Sequence, residues 1–146
     1  MDTVALRDLL IHWSEINSGS THVAGLARMR EALAAEFIKL PGARVESIPL
    51  KTTRAEALRI SLHPRAPRQL LLSGHYDTVY DRNHGFQTCT LVDEDTLRGP
   101  GVADMKATGT ASSSSRRSID VLKKQRRAEG EVGASFDNEF GLGQRS

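Results

Sequence analysis

The feature that most constrains this chain is an apolar run that ends in potential ligands. Leu70-Leu-Leu-Ser-Gly-His-Tyr-Asp-Thr-Val79 carries three consecutive leucines into a glycine, then a His and an Asp two positions apart. A continuous apolar run of this kind is typical of a strand covered on both faces, so Leu70 to Leu72 is expected in a central strand. Residues two apart on an extended chain point to the same side. His75 and Asp77 therefore share a face at the carboxyl end of that strand, where α/β proteins bind their ligands.

The flanking sequence supplies the layers such a strand needs. Leu6, Leu9, Leu10, Trp13 and Ile16 recur at helical spacing from Val4 to Ile16, with Asp2 or Thr3 able to cap the start. After the break at Asn17-Ser-Gly-Ser-Thr21, a second helix is expected from about His22 to Leu40, stopped by Pro41-Gly42. Short strands are expected at Ala43 to Leu50, Ala57 to Leu62 and Gln69 to Ser73. A small hairpin, Thr88 to Leu91 with Thr96 to Leu97, would close on the turn Asp93-Glu-Asp95. With a further helix after residue 104, the expectation is an α/β domain of two N-terminal helices and a mixed sheet.

The last forty residues differ. Thr108 to Ser115 is small and polar, and Ile119, Val121 and Leu122 are the only large apolar residues between Met105 and Val132. A helix there has little to bury. The chain thus divides into residues 1–106 and a divergent, partly helical tail at 107–146.

Charge and cysteine content narrow the function classes. Residues 1–106 balance 13 Lys or Arg against 13 Asp or Glu, and the tail carries seven against five, so the net +2 lies in the tail. Its clusters, Arg116-Arg117 and Lys123-Lys-Gln-Arg-Arg127, lack interleaved aromatics and any nucleic-acid motif, so a solvated helix face is expected rather than a nucleic-acid site. One cysteine, Cys89, leaves no disulfide framework and no cysteine zinc cluster. The acidic start and the lack of a long apolar run lead us to expect a cytoplasmic protein with no membrane partner.

The chemistry of the pair is that of a metal site. Zinc takes His nitrogen and carboxylate oxygen, and a ligating His usually donates its other N–H to a carboxylate that fixes its orientation. His75 and Asp77 supply both groups. In Gly99-Pro-Gly-Val-Ala-Asp-Met-Lys106 the glycines let backbone pass close to a site, and Asp104 offers a carboxylate able to bridge two ions. The alternative is a capped turn, with Asp104 at the N-cap of the following helix. His12, His22, His63 and His84 have no partner motif, Trp13 is expected in the core, and Cys89 lacks the surroundings of a nucleophile.

Together, Ser73-Gly-His-Tyr-Asp-Thr-Val79 and Gly99-Pro-Gly-Val-Ala-Asp-Met-Lys106 resemble the co-catalytic zinc peptidases and deacylases. That family includes acetylornithine deacetylase, succinyl-diaminopimelate desuccinylase, aminoacylase and glutamate carboxypeptidase. Ile16-Asn-Ser-Gly-Ser20 and Glu46-Ser-Ile-Pro-Leu50 fit more loosely, and the glutamate carboxypeptidase wording is nearest. The resemblance covers residues 1–106 and implies the N-terminal part of a zinc-exopeptidase catalytic domain. It implies that His75 ligates one of two zinc ions, Asp77 orients it and Asp104 bridges the pair. It also implies a small peptide or N-acyl amino acid as substrate, and homodimerisation through a domain that this chain lacks.

Family members present a Glu-Glu pair about 35 residues further on, the first a general base and the second a zinc ligand. Asp137-Asn-Glu-Phe-Gly141 falls at that distance, so Glu139 matches the ligand while Asn138 occupies the position of the base. An amide does not accept a proton near neutral pH, and a general base contributes typically about 10² to 10⁴ in rate. By the resemblance, three of five ligand positions remain, so the zinc site is incomplete and activity is expected to be impaired. Three functions follow as expectations: a zinc-dependent amide or peptide hydrolase, a catalytically dead relative that binds metal, or a non-enzymatic partner of a full-length homologue. As a hypothesis for the tail, if Ser112 to Ser115 are encoded by TCG repeats, a shifted frame reads Ile-Val-Val, and a paired frameshift between about residues 107 and 130 would restore the register near Phe136. Codons giving no apolar helix in either alternative frame would dispose of a paired frameshift.

Overall fold

The computed structural model describes residues 3–113 and 131–137. Helix α1 (Thr3–Glu15) buries Trp13, and helix α2 (Val23–Phe37) buries Leu26, Met29, Leu33 and Phe37, one residue per turn along a single face. The second helix is shorter than its apolar spacing implied: the chain leaves it at Phe37, and a turn in which Leu40 N donates to Phe37 O leads to Gly42. Gly42, at φ +78°, takes the left-handed conformation that reverses the chain.

Strand β1 (Ala43–Pro49) then pairs antiparallel with β2 (Glu56–Leu62), setting Glu46 opposite Arg59 in an ion pair of 2.9 Å. On β2, Leu58, Ile60 and Leu62 alternate into the interior, and Leu58 and Ile60 join Trp13, Met29, Leu33, Phe37 and Tyr76 in the core beneath α2. Strand β3 (Gln69–His75) follows, then the hairpin of β4 (Thr90–Leu91) and β5 (Leu97–Arg98), a wide helical turn over Val102–Lys106, helix α3 (Ala107–Ser113) and strand β6 (Glu131–Asp137). The sheet runs β1-β2-β6-β3, with β6 antiparallel to β2 and parallel to β3. This is the expected α/β architecture of two N-terminal helices and a mixed sheet. Among the described residues, no helix is long and apolar enough to cross a membrane.

Three expectations are corrected. Among the described residues, Leu70 to Leu72 lie in an edge strand rather than a central one: β3 has β6 as its neighbour, and Leu71 and Leu72 are 73% and 40% exposed. An apolar run is buried only where a second layer lies over it, and α2 stands over β1 and β2. The hairpin is shorter than expected and excludes Cys89, although Asp93 does close its turn by accepting the Asp95 N–H at 3.0 Å. Strand β6 was not foreseen in a tail expected to be partly helical. Gly133, Ala134 and Ser135 give it little strand propensity of its own, and pairing on both sides holds it.

Candidate metal centre

His75 is the last residue of β3, so the extended chain carries the ring to the sheet edge. The next residues are fixed by the loop that breaks the first helix. Thr78 N donates to Ser18 O at 2.9 Å and Ser20 N to Thr78 O at 3.0 Å, so Gly19 and Thr78 pair as a short parallel bridge. Glycine is required there, because a Cβ at residue 19 would lie 2.6 Å from the Tyr80 carbonyl oxygen. Ser18 Oγ donates to Tyr76 O at 2.8 Å, and Ser20 Oγ to Asp77 Oδ2 at 2.7 Å.

Asp104 arrives from the opposite side. Gly101, at φ +70°, opens the turn over Val102–Lys106, within which Asp104 is extended at φ −125° and ψ 93° and joined to Met105 by a cis peptide bond. The alternative of a capped turn is overturned: α3 begins at Ala107, three residues later, and the Asp104 carboxylate faces His75. The turn is anchored from below by Lys106, 3% exposed, whose ammonium donates to Trp13 O at 2.8 Å and Ile16 O at 3.1 Å. Burial pulls this lysine down to about 8, against a smaller upward pull from Cys89.

The His75 ring is held between two carboxylates. Its Nδ1 lies 3.1 Å from Asp77 Oδ1 and its Nε2 lies 3.0 Å from Asp104 Oδ1. Partial burial lowers the affinity of the ring for a proton, but the Asp104 contact and the Asp77 contacts outweigh it and raise the pKa above 6.5. Asp77 is 5% exposed, whereas Asp104 stands at the mouth of a cleft of about 360 Å³ lined by His75, Tyr80, Gly101 and Val102.

Imidazole nitrogen and carboxylate oxygen facing each other, with a second carboxylate behind the ring, are the donor types and orientation that zinc takes. His75 Nε2 and Asp104 Oδ1 fit two positions around such an ion. Among the described residues, no group of three or more His, Cys, Asp or Glu side chains is gathered for a cation. Asn138 and Glu139 lie outside the described residues. Strand β6 ends with Asp137 paired with His75.

The remaining sequence readings divide. Trp13 is in the core, fully buried. Burial pushes the Cys89 thiol up, away from nucleophilic character. His22 Nδ1 pairs with Asn17 Oδ1 at 2.8 Å, and His84 Nδ1 accepts from Phe86 N at 3.0 Å. Sequence reasoning missed Ser20 and Lys106. The signals for Ser20 were the polar break at Asn17 to Thr21 and the looser family fit of Ile16-Asn-Ser-Gly-Ser20. For Lys106 the signal was a lysine two residues from a candidate ligand.

The sequence matches no family model and no curated protein. The fold does have solved counterparts. Human carnosine dipeptidase 1 superposes with a TM-score of 0.72 at 21% identity, over 97% of this chain and 33% of that one. An M20 family metallo-carboxypeptidase from Sulfolobus solfataricus gives 0.70 at 21%, over 95% and 31%. Aminopeptidase PepT from Bacillus cereus gives 0.64 at 18%, over 93% and 36%. The chain therefore spans about a third of the length of the solved peptidases whose fold it shares.

Proposed function

We propose that this chain carries part of the centre of a zinc-dependent hydrolase of peptide or amide bonds, of the glutamate carboxypeptidase type. The observation that carries this reading is the His75 ring held between Asp77 and Asp104, at 3.1 and 3.0 Å. A shared fold with peptidases, one of them a metallo-carboxypeptidase, supports it. In this reading His75 Nε2, Asp104 and Glu139 hold the metal, and Asp77 orients the imidazole from behind. A bound zinc ion supplies Lewis-acid polarisation of the scissile carbonyl. The cleft beside Tyr80 and Val102 takes a small peptide or an N-acyl amino acid.

Asn138 favours a second reading within the same centre. At the base position an amide neither takes a proton from water nor returns it to the leaving amine. The chain then binds metal and hydrolyses slowly or not at all. Zinc titration by calorimetry tests the common element: binding should disappear in His75→Ala and in Asp104→Ala, and unchanged stoichiometry in both would remove the metal reading. Assays on N-acyl amino acids and on peptides ending in glutamate separate the two readings. Robust turnover by the unmodified chain excludes the inactive one.

A further inference from the structure

We propose that Ser20 is a positioning residue of this centre, its hydroxyl orienting Asp77 and, through Asp77, the face that His75 turns toward the metal. The inference rests on the zinc reading above and assigns a role to a loop that reads as a helix break in the sequence.

The two oxygens of Asp77 are divided between two partners. Oδ1 lies 3.1 Å from His75 Nδ1, and Oδ2 receives the Ser20 hydroxyl at 2.7 Å. Ser20 Oγ is also 3.2 Å from Thr78 O, but its one proton goes to the nearer, charged acceptor. A hydroxyl on a carboxylate is a short, strong hydrogen bond. A carboxylate held at one oxygen can swing about the bond to its carbon chain, and one held at both cannot. Burial sharpens the effect, because an Asp77 oxygen deprived of its donor has little water to turn to.

Ser20 is itself preset. Its N–H donates to Thr78 O, and Thr78 N donates to Ser18 O, so the backbone is clamped on both sides of Gly19, next in space to Asp77. The hydroxyl thus starts from a fixed position on a paired segment. The chain of contacts runs from Ser20 Oγ through Asp77 and His75 to Asp104, across three separate stretches of sequence. Outer partners of a ligating His typically change metal affinity by about 10- to 100-fold when removed.

Two measurements on the wild-type chain, Ser20→Ala, Ser20→Thr and Ser20→Cys test this. In the metal-free chain, heteronuclear NMR reads whether the His75 Nδ1 proton is protected from exchange with water. Protection is expected in wild type and Ser20→Thr, loss in Ser20→Ala, and an intermediate result in Ser20→Cys, whose thiol is a weak donor. Zinc affinity should follow the same order, falling about 10- to 100-fold in Ser20→Ala and recovering in Ser20→Thr. The role is overturned if Ser20→Ala keeps both the protected proton and the affinity, or if Ser20→Thr loses as much as Ser20→Ala. A wild-type chain that takes no zinc overturns the metal reading instead, while the proton signal still decides whether Ser20 orients the ring.

Discussion

The Lys106 ammonium donates to the Trp13 carbonyl oxygen at 2.8 Å, joining the turn that carries Asp104 to the end of α1. A buried cation here meets the negative end of the helix dipole. It also satisfies carbonyls that the helix terminus leaves open. The loop that grips Asp77 leaves α1 at the same point, so Lys106 ties the two walls of the centre to one support.

That lysine gives the fold a pH dependence of known sign. Burial lowers its pKa from 10.5 in the unfolded chain to about 8 in the folded one, so the unfolded state binds more protons between those values. Stability therefore rises with pH from about 8 to 10.5, by at most about 3 kcal/mol. Urea denaturation at several pH values should show a more positive slope in wild type than in Lys106→Met, where the raised Cys89 thiol is left to give a shallow fall with pH. A Lys106→Met chain that keeps the slope would assign it to another group.

Gly101 is the second support of the Asp104 turn. It holds φ +70°, and a Cβ there would lie 2.9 Å from Thr78 Cγ2 and 3.1 Å from the Lys106 stem. Gly101→Ala should cost about 1–3 kcal/mol through backbone strain and crowding. It should also weaken zinc binding by moving Asp104 away from His75. Thermal unfolding and metal titration read the two effects separately, and an unchanged melting temperature would contradict the first.

Cys89 should be a poor nucleophile at neutral pH. Its thiol is pushed up chiefly by burial, and the thiolate is the reactive form. Reaction with a disulfide reagent is expected to be slow at pH 7 in the folded chain and much faster in urea. Equal rates in the two conditions would show an exposed, unperturbed thiol.

Restoring a carboxylate should restore catalysis. Asn138→Glu is expected to raise hydrolysis of an N-acyl amino acid by about 10² to 10⁴ over the unmodified chain, the usual contribution of a general base. Zinc stoichiometry should not change. No gain in rate, with zinc still bound, would mean that the missing base is not what limits this chain.

The legible parts of this molecule were those encoded in short spacings. His75 and Asp77 lie two residues apart, the apolar faces of α1 and α2 repeat within a turn, and the hairpin closes on its own acids, so local pattern sufficed. The position of β3 was not legible. Three leucines in a row carry no information about which layers come to lie over them, and Leu71 is 73% exposed. Lys106 was hidden for a related reason: its partners, Trp13 and Ile16, are about ninety residues away in sequence. Strand β6 was hidden by composition, since Gly133, Ala134 and Ser135 become a strand only between β2 and β3.

The place of β6 in the sheet sets an order of assembly. Strand β2 can pair with β1 through a short hairpin, but β3 meets the sheet through β6, whose residues come much later in the chain. Closing so long a loop is entropically slow. During synthesis the helices and the β1-β2 hairpin can therefore settle first, while β3 gains its sheet partner only when residues 131–137 dock along it. The contacts that shape the candidate centre, Gly19 with Thr78 and Lys106 with Trp13, lie outside β6, so docking of that strand completes the sheet around His75 after the loops that position it are already in place.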